Sequence, residues 1–133
     1  MIPRITLLVA SLHVLLYVVL ALRVVLHRRA SRIGVGTGGD AAMALRVRVH
    51  GNFAEYVPLA LLMLALLELS AMPAALLWTC GVALLLARVL HAVGLGRSPG
   101  YSFGRFAGTL LTFLVLLAMA LAGLWQMVAL QLV

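Results

Sequence analysis

Acidic residues and cysteine are scarce in this sequence, and lysine is absent from its 133 residues. Three acidic residues, Asp40, Glu55 and Glu68, stand against ten arginines. Cys80 is the single cysteine, so no disulfide forms within the chain, and we expect no metal site. Charged residues make up only 10% of the chain, whereas apolar residues make up 65%. Soluble domains contain roughly 45–50% apolar residues, so we predict a membrane protein in which lipid covers the excess.

The basic excess gives a formal net charge of +7 and an isoelectric point near 11.4. In a soluble chain this balance would indicate nucleic-acid binding. Here the arginines flank or interrupt apolar runs, which is how membrane proteins set their orientation, and we expect no nucleic-acid partner. The absence of lysine has two explanations, a drift in base composition and the better fit of arginine to planar carboxylates, and we favour the first.

Four apolar segments are each long enough to span a bilayer as a helix, which takes about 20 residues. We predict helices over about 5–26, 41–70, 73–93 and 101–130, in one domain covering residues 1–133. The first segment exceeds the roughly 7–15 apolar residues of a signal-peptide core, so we interpret it as a retained helix. Asp40 is the expected N-cap of the second helix, and Gly94 is the expected C-terminal cap of the third. The predicted fold class is all-α, an integral membrane four-helix bundle with left-handed up-down topology.

The distribution of arginine predicts the orientation of the bundle. The first and third connections lie on one side of the membrane, and with the adjoining helix ends they hold nine arginines against one on the other side. Cytoplasmic segments of membrane proteins carry the basic excess, so we expect both termini outside the cytoplasm. The nine are Arg23, Arg28, Arg29, Arg32, Arg46, Arg48, Arg88, Arg97 and Arg105, and the single one is Arg4.

The second helix carries an ionisable stripe inside its apolar run. At about 100° per residue, Arg48, Asn52 and Glu55 share one face, and they extend over some 10 Å. An ionisable residue in a membrane helix is costly and by default indicates function. Glu55 must find a cation or a proton. Pro58 cannot donate to the carbonyl of Ala54, which leaves a free acceptor next to Glu55.

The third helix carries Arg88 and His91 on one face, and the fourth begins with Arg105 on the same side of the membrane. Three helices thus bring polar groups to one depth. One interpretation is a structural ion-pair network in which Glu55 pairs with the nearest of Arg48, Arg88 and Arg105. The other is a site for an anionic ligand, which the surplus of arginine over carboxylate favours, because guanidinium groups bind carboxylates in a bidentate manner. Glu68 lies at the opposite interface, where we expect it to be solvated.

Two strings in the sequence resemble the MAPEG family, the membrane-associated proteins in eicosanoid and glutathione metabolism. One is His50-x-Asn52-x-x-Glu55-Tyr56-x-Pro58 on the second helix, and the other is Ala87-Arg88-Val89-Leu90-His91-Ala92-x-Gly94 on the third. The order of the helices, the basic first loop and the chain length also match, and the chain is most similar to the small bacterial members. The resemblance implies a homotrimer in the inner (plasma) membrane of a bacterium, with glutathione bound between subunits near the cytoplasmic side.

The resemblance also implies roles for individual residues. Arg105 is similar to the arginine that approaches the glutathione thiol, and is therefore the implied catalytic residue. The chain departs from the eukaryotic enzymes at Gly51, where they often have a second arginine, and at Phe106, where some have a serine. An aromatic hydroxyl late in the third helix is replaced by Gly94 or Leu95. The glutathione-binding residues that the resemblance implies are Arg48, Asn52, Glu55, Arg88 and His91.

Three functions remain open at this point. The first is a glutathione transferase or peroxidase, with glutathione or a related anionic thiol as co-substrate and a lipophilic electrophile delivered from the membrane lipids. The second is a scaffold or lipid-binding protein that keeps the fold without the chemistry. The third is a small proton-coupled multidrug transporter, in which one carboxylate exchanges protons and cationic drugs. Arginines around Glu55 disfavour this last function.

Overall fold

Four long helices make up the chain, which the computed structural model describes over residues 2–97 and 102–131. They are α1 (Arg4–Ala30), α2 (Ala41–Leu69), α3 (Ala74–Arg97) and α4 (Phe103–Gln131). All four are long and apolar enough to cross a membrane, and the described residues contain no strand. The predicted four-helix membrane bundle is therefore confirmed. We call the side where α1 and α3 end the arginine-rich face.

The central helices are α2 and α3, because each of them packs against all three others. Helices α1 and α4 flank this pair and do not touch each other in the described parts of the chain. Two apolar clusters fill the interior, one towards each membrane face. The larger, far from the arginine-rich face, contains Val9, Ala60, Leu64, Leu67, Leu77, Cys80, Leu84, Val115 and Met119. The smaller contains Leu20, Val49, Phe53, Val57 and Ala92. Many other large apolar side chains point outward, as a lipid-facing surface requires.

The connection from α1 to α2 is held by side chains at both of its ends. Asp40 is the N-cap of α2, as predicted, and its Oδ1 accepts from the Met43 amide at 3.0 Å. Its Oδ2 lies 2.9 Å from His27 Nε2. These hydrogen bonds hold the pKa of the Asp40 carboxyl below its ordinary value, and the bond from the Met43 amide has the larger effect. Arg28 donates to three carbonyl oxygens of the connection at distances between 3.0 and 3.4 Å.

Two helices differ in length from the prediction. Helix α1 continues four residues past the predicted end at 26, through His27, Arg28 and Arg29, because basic side chains are favourable in the last turn of a helix. Helix α3 continues to Arg97, so the assignment of Gly94 as its C-terminal cap is wrong. Tyr101, the predicted start of α4, and residues 98–100 of the predicted loop lie outside the described residues.

Glycines let α3 and α4 pack backbone against backbone. Gly94 is buried against the start of α4, where a Cβ atom would collide with the backbone of Gly104 and Arg105. A Cβ atom on Gly108 would lie only 2.6 Å from the carbonyl oxygen of Ala87. Pairs of small residues four apart allow this close approach in membrane helices. The α3–α4 contact, the most extensive in the bundle, therefore depends on glycine.

Glu68 is buried rather than solvated, which contradicts the prediction for it. Only 9% of its surface is exposed. Its two carboxylate oxygens accept hydrogen bonds from the backbone amides of Ile5 at 2.8 Å and Thr6 at 2.7 Å. The first amides of a helix have no partner within it, and the negative charge is favourable at that end. Glu68 thus ties the start of α1 to the end of α2.

Candidate functional site

Arg88 of α3 lies in the interior of the subunit, with 1% of its surface exposed. One of its terminal nitrogens, Nη2, donates to Asn52 Oδ1 of α2 at 2.6 Å. The other, Nη1, donates to Thr112 Oγ1 of α4 at 3.3 Å. The Thr112 hydroxyl in turn donates to the carbonyl oxygen of Gly108 at 2.7 Å. A single guanidinium group therefore connects α2, α3 and α4.

His91 and two aromatic rings complete the surroundings of Arg88. His91 Nδ1 lies 3.4 Å from Arg88 Nη2, and it accepts, because a guanidinium group only donates. The Arg88 guanidinium carbon lies 5.8 Å from the centre of the Phe53 ring and 6.0 Å from that of Tyr56, distances at which a cation is attracted to a π face. Among the described residues no carboxylate lies within 4.0 Å of this cation. Within the described residues, the groups that contact this charge are therefore all neutral.

Arg48 and Glu55 lie on the outer face of α2 and pair with each other. Arg48 Nη1 is 3.5 Å from Glu55 Oε1, and the two side chains are 65% and 52% exposed. Of the three partners predicted for Glu55, Arg48, Arg88 and Arg105, the described residues pair it with Arg48 alone. Asn52 lies between the two residues on the same stripe, half-buried, with its carbonyl oxygen occupied by Arg88. The exposed ion pair and the residue that binds the buried cation therefore share one stripe of α2.

Arg105 is exposed in the first turn of α4. Its backbone amide donates to Ser102 Oγ at 3.3 Å, which caps the helix, and its carbonyl oxygen accepts from Thr109 Oγ1 at 2.9 Å. Its side chain lines an open cavity of about 270 Å³, together with Ser102, Phe106 and Thr109.

The six residues predicted from the sequence thus form three groups. Asn52, Arg88 and His91 meet directly, Arg48 pairs with Glu55, and Arg105 stands at its own cavity. Sequence reasoning missed Thr112, Phe53 and Tyr56 as contacts of Arg88. The only available signal was for Tyr56, which lies inside the quoted second-helix string. Thr112 and Phe53 look like ordinary membrane-helix residues until the helices are packed together.

Comparison with known proteins gives consistent results. The model of the MAPEG family matches residues 6–125. The chain is 32% identical over 118 residues to the inner membrane protein YecN of Escherichia coli strain K12, an alignment that covers 89% of this chain and 88% of the relative. The inner membrane protein YecN of Escherichia coli O6:H1, strain CFT073, matches with the same identity and coverage.

Proposed function

This chain belongs to the MAPEG family, and from that premise we propose that it is a glutathione-dependent transferase or peroxidase acting on lipophilic electrophiles in a bacterial inner membrane. The observation that carries the proposal is the surplus of cations at one depth. Among the described residues Arg88 has no carboxylate partner. Arg105 is exposed at a cavity, and Arg48 pairs with Glu55, which is itself exposed. Such a group attracts an anion with more than one negative group. Glutathione has two carboxylates, one ammonium group and one thiol.

The outer stripe of α2 supplies the groups that would bind such a ligand. Arg48 takes a carboxylate and Glu55 takes the ammonium group, so the ligand replaces their mutual contact. That exchange is cheap, because an exposed ion pair contributes only about 0–1 kcal/mol. The amide nitrogen of Asn52 donates no hydrogen bond among the described residues and is available as a third contact.

Arg88 and His91 act in this proposal by positioning Asn52. The bond of 2.6 Å from Arg88 orients the Asn52 amide with its oxygen inward, which leaves its NH₂ group for the ligand. His91 and Thr112 hold the guanidinium in place from α3 and α4. Replacing Arg88 with alanine should therefore weaken glutathione binding through Asn52, even where the ligand does not touch Arg88.

Arg105 is the proposed catalytic residue. A cation beside a thiol favours the thiolate, which is the nucleophilic form. The thiolate sulfur forms a bond to the electrophilic carbon, whose leaving group or opened ring takes the electron pair and then a proton. In the peroxidase reaction, two thiols become one disulfide while a lipid hydroperoxide becomes an alcohol and water. The apolar outer surface of the helices gives a lipophilic substrate access from the bilayer.

The exposed positions of Arg48, Glu55 and Arg105 support a homotrimer with the ligand between subunits. One subunit leaves these groups on its outer surface, so a neighbouring copy is needed to enclose a bound molecule. Light scattering with the detergent contribution subtracted should give a mass of three subunits. A stable monomer that binds glutathione normally would contradict the intersubunit site.

Thermal melting in detergent with glutathione tests the proposed binding. A ligand specific for the folded state raises its stability by about 2.7 kcal/mol at a hundredfold excess over Kd. Millimolar glutathione and S-methylglutathione should both raise the melting temperature, because the carboxylates rather than the thiol supply most of the binding. Arg48→Gln should reduce the rise, and Arg29→Gln, which removes an exposed arginine elsewhere on the same face, should not.

Conjugation of an aromatic electrophile tests the catalytic role of Arg105. Arg105→Gln should lower kcat more than it changes the glutathione KM. The inflection of the rate against pH should also move upward, because the thiol loses the cation that favours its ionised form. An unchanged pH profile would remove Arg105 from thiol activation.

A scaffold or lipid-binding function without chemistry is the second candidate, and one observation favours it. The hydrogen bonds and aromatic contacts of Arg88 already lock three helices together without a ligand. If neither glutathione nor S-methylglutathione shifts the melting temperature and no conjugation occurs, this function replaces the first. The contact between Arg48 and Glu55 disfavours a carrier of cationic drugs, because the carboxylate already has a cation beside it.

A further inference from the structure

A second pair of cations lies between α1 and α2, apart from the site described above. A small cavity of about 70 Å³ opens there, lined by Arg23 of α1, Arg46 of α2 and the apolar residues Ala42, Leu45 and Val49. A cavity needs roughly 10–15 Å³ to hold one water molecule, so this one has room for about five groups of that size. A phosphate group, with one phosphorus and four oxygen atoms, is of similar size. Nothing in the proposed glutathione chemistry uses either arginine.

Neither arginine of this cavity has an anionic partner in the part of the chain that the structure describes. The chain has three acidic residues, and each is engaged elsewhere: Asp40 with His27 and the Met43 amide, Glu55 with Arg48, and Glu68 with the start of α1. Within residues 2–97 and 102–131, neither Arg23 nor Arg46 forms a side-chain hydrogen bond or an ion pair. Arg23 is exposed and Arg46 is half-buried, and an outside anion between these like charges would reduce their mutual repulsion.

Arg46 adds a polar atom that is already removed from water. Its Nε is buried and has no hydrogen-bond partner. A buried unpaired donor costs free energy comparable to a lost hydrogen bond, and more when the group is charged. A tetrahedral anion in the cavity can accept from more than one nitrogen of a guanidinium group, which suits the planar arrangement of its donors.

The depth of the cavity matches the phosphates of a bilayer. Helix α1 has 27 residues and is therefore about 40 Å long, which equals a bilayer including its headgroups. Arg23 lies about 10 Å from the end of α1, and Arg46 lies about 8 Å from the start of α2. Both Cα atoms thus lie a few ångströms inside the boundary of a hydrocarbon layer about 30 Å thick, and the long arginine side chains can extend from there to the phosphates. Leu22 and Leu26, exposed beside Arg23, offer the apolar surface on which an acyl chain would lie.

We propose that Arg23 and Arg46 form a binding site for the phosphate of an anionic phospholipid, whose headgroup enters the cavity between α1 and α2. Basic pockets between membrane helices on the cytoplasmic side bind anionic headgroups in this way. The occupant is a lipid rather than a soluble phosphate, because the cavity lies within side-chain reach of the headgroups and opens beside exposed leucines. The site is independent of glutathione binding and of catalysis.

The test is thermal melting of the delipidated, detergent-purified protein with phosphatidylglycerol, phosphatidylcholine or inorganic phosphate added. Phosphatidylcholine carries its own cation, which competes with the two arginines for the phosphate. We expect phosphatidylglycerol to raise the melting temperature, and the other two additions to leave it nearly unchanged. In the variant Arg23→Gln/Arg46→Gln, half-saturation should need roughly tenfold or more phosphatidylglycerol, because charge-assisted hydrogen bonds are lost.

The matched control is Arg29→Gln/Arg32→Gln, which removes the same charge from exposed residues of the same face and should keep the wild-type response. Equal weakening in both double variants would mean a diffuse attraction of the basic face, and would overturn the site. An equal response to phosphatidylcholine, or a full response to inorganic phosphate, would overturn the lipid assignment. If the double variant fails to fold, Arg46→Lys serves in its place, because lysine keeps the charge but lacks the several donors of a guanidinium group. A wild-type rise in melting temperature with phosphatidylglycerol in this variant would reject the proposed contact.

Discussion

Replacing Glu68 with leucine removes a carboxylate that binds two backbone amides more than sixty positions away in the chain. Its oxygens accept from the amides of Ile5 and Thr6 at 2.8 and 2.7 Å, and 9% of the residue is exposed. Leucine has a similar volume, so the packing of the end of α2 changes little. The two amides at the start of α1, however, lose the acceptor that they have among the described residues and remain in a partly buried position.

The expected loss follows from the two hydrogen bonds. Bonds to a charged group contribute about 1.5–3 kcal/mol each, and the lower end applies because one carboxylate serves both amides. Glu68→Leu should therefore cost about 3 kcal/mol, or a fall in melting temperature on the order of 10 °C for a chain of this size. Glu68→Gln keeps one acceptor without the charge and should lose about half as much.

Glu55→Leu is the matched control, because it removes the other glutamate of α2. Its ion pair with Arg48 is largely exposed, and such pairs contribute roughly 0.2–1 kcal/mol. The two variants are compared by their melting temperatures, measured at one scan rate in the same detergent. Hydrogen exchange of the Ile5 and Thr6 backbone amides measures the local effect at the start of α1. These amides should exchange faster in Glu68→Leu alone. If Glu55→Leu destabilises the protein as much as Glu68→Leu, the assignment of Glu68 as the carboxylate that fastens α1 is refuted.

Three further predictions concern the helix packing, the first connection and the orientation. Gly108→Ala should destabilise the bundle by about 1–3 kcal/mol, because the new Cβ meets α3 backbone at 2.6 Å, and it should lower the melting temperature. Gly51→Ala is its control: a Cβ there meets nothing within 4 Å, so alanine should be neutral or stabilising, and a loss equal to that of Gly108→Ala would contradict the packing argument. The pKa of Asp40 is lowered in the folded protein, so its carboxylate stabilises the fold at pH values above the ordinary aspartate pKa of about 4. This stabilisation is lost as the pH falls below that value towards the lowered pKa. Melting temperature measured between about pH 5 and 2 should therefore fall more steeply for the wild type than for Asp40→Asn, and parallel curves would contradict the cap. In intact cells, an impermeant thiol reagent should label cysteine at Ile2 readily and cysteine at Gly34 poorly in a cysteine-free background. The reverse pattern would overturn the expected orientation with both termini outside the cytoplasm.

The meeting of polar residues from three helices in the candidate site was predictable in part. The helical repeat placed Arg48, Asn52 and Glu55 on one stripe, and their order along α2 is a local property of the chain. The same repeat could not say that Arg88 would reach Asn52 from α3 while Glu55 stayed on the outer face. That division depends on how far α2 is rotated about its axis when it packs, and no local pattern in the chain encodes this rotation, because Asn52 and Arg88 are 36 positions apart. The exposed and buried halves of the site therefore appear only when the helices are assembled.

The sequence by itself determined the four membrane spans, the cap at Asp40 and the family. These follow from local composition, from one side chain near its own backbone, and from short strings of residues. Only the tertiary structure decided that Glu68 fastens α1, that Gly94 is a packing residue inside α3, and that Thr112 holds Arg88. In a membrane, apolar side chains face both lipid and protein, so hydropathy does not distinguish the inner face of a helix from the outer one. The partners of the few polar groups are set by the crossing of the helices, and residues far apart in the chain meet only there.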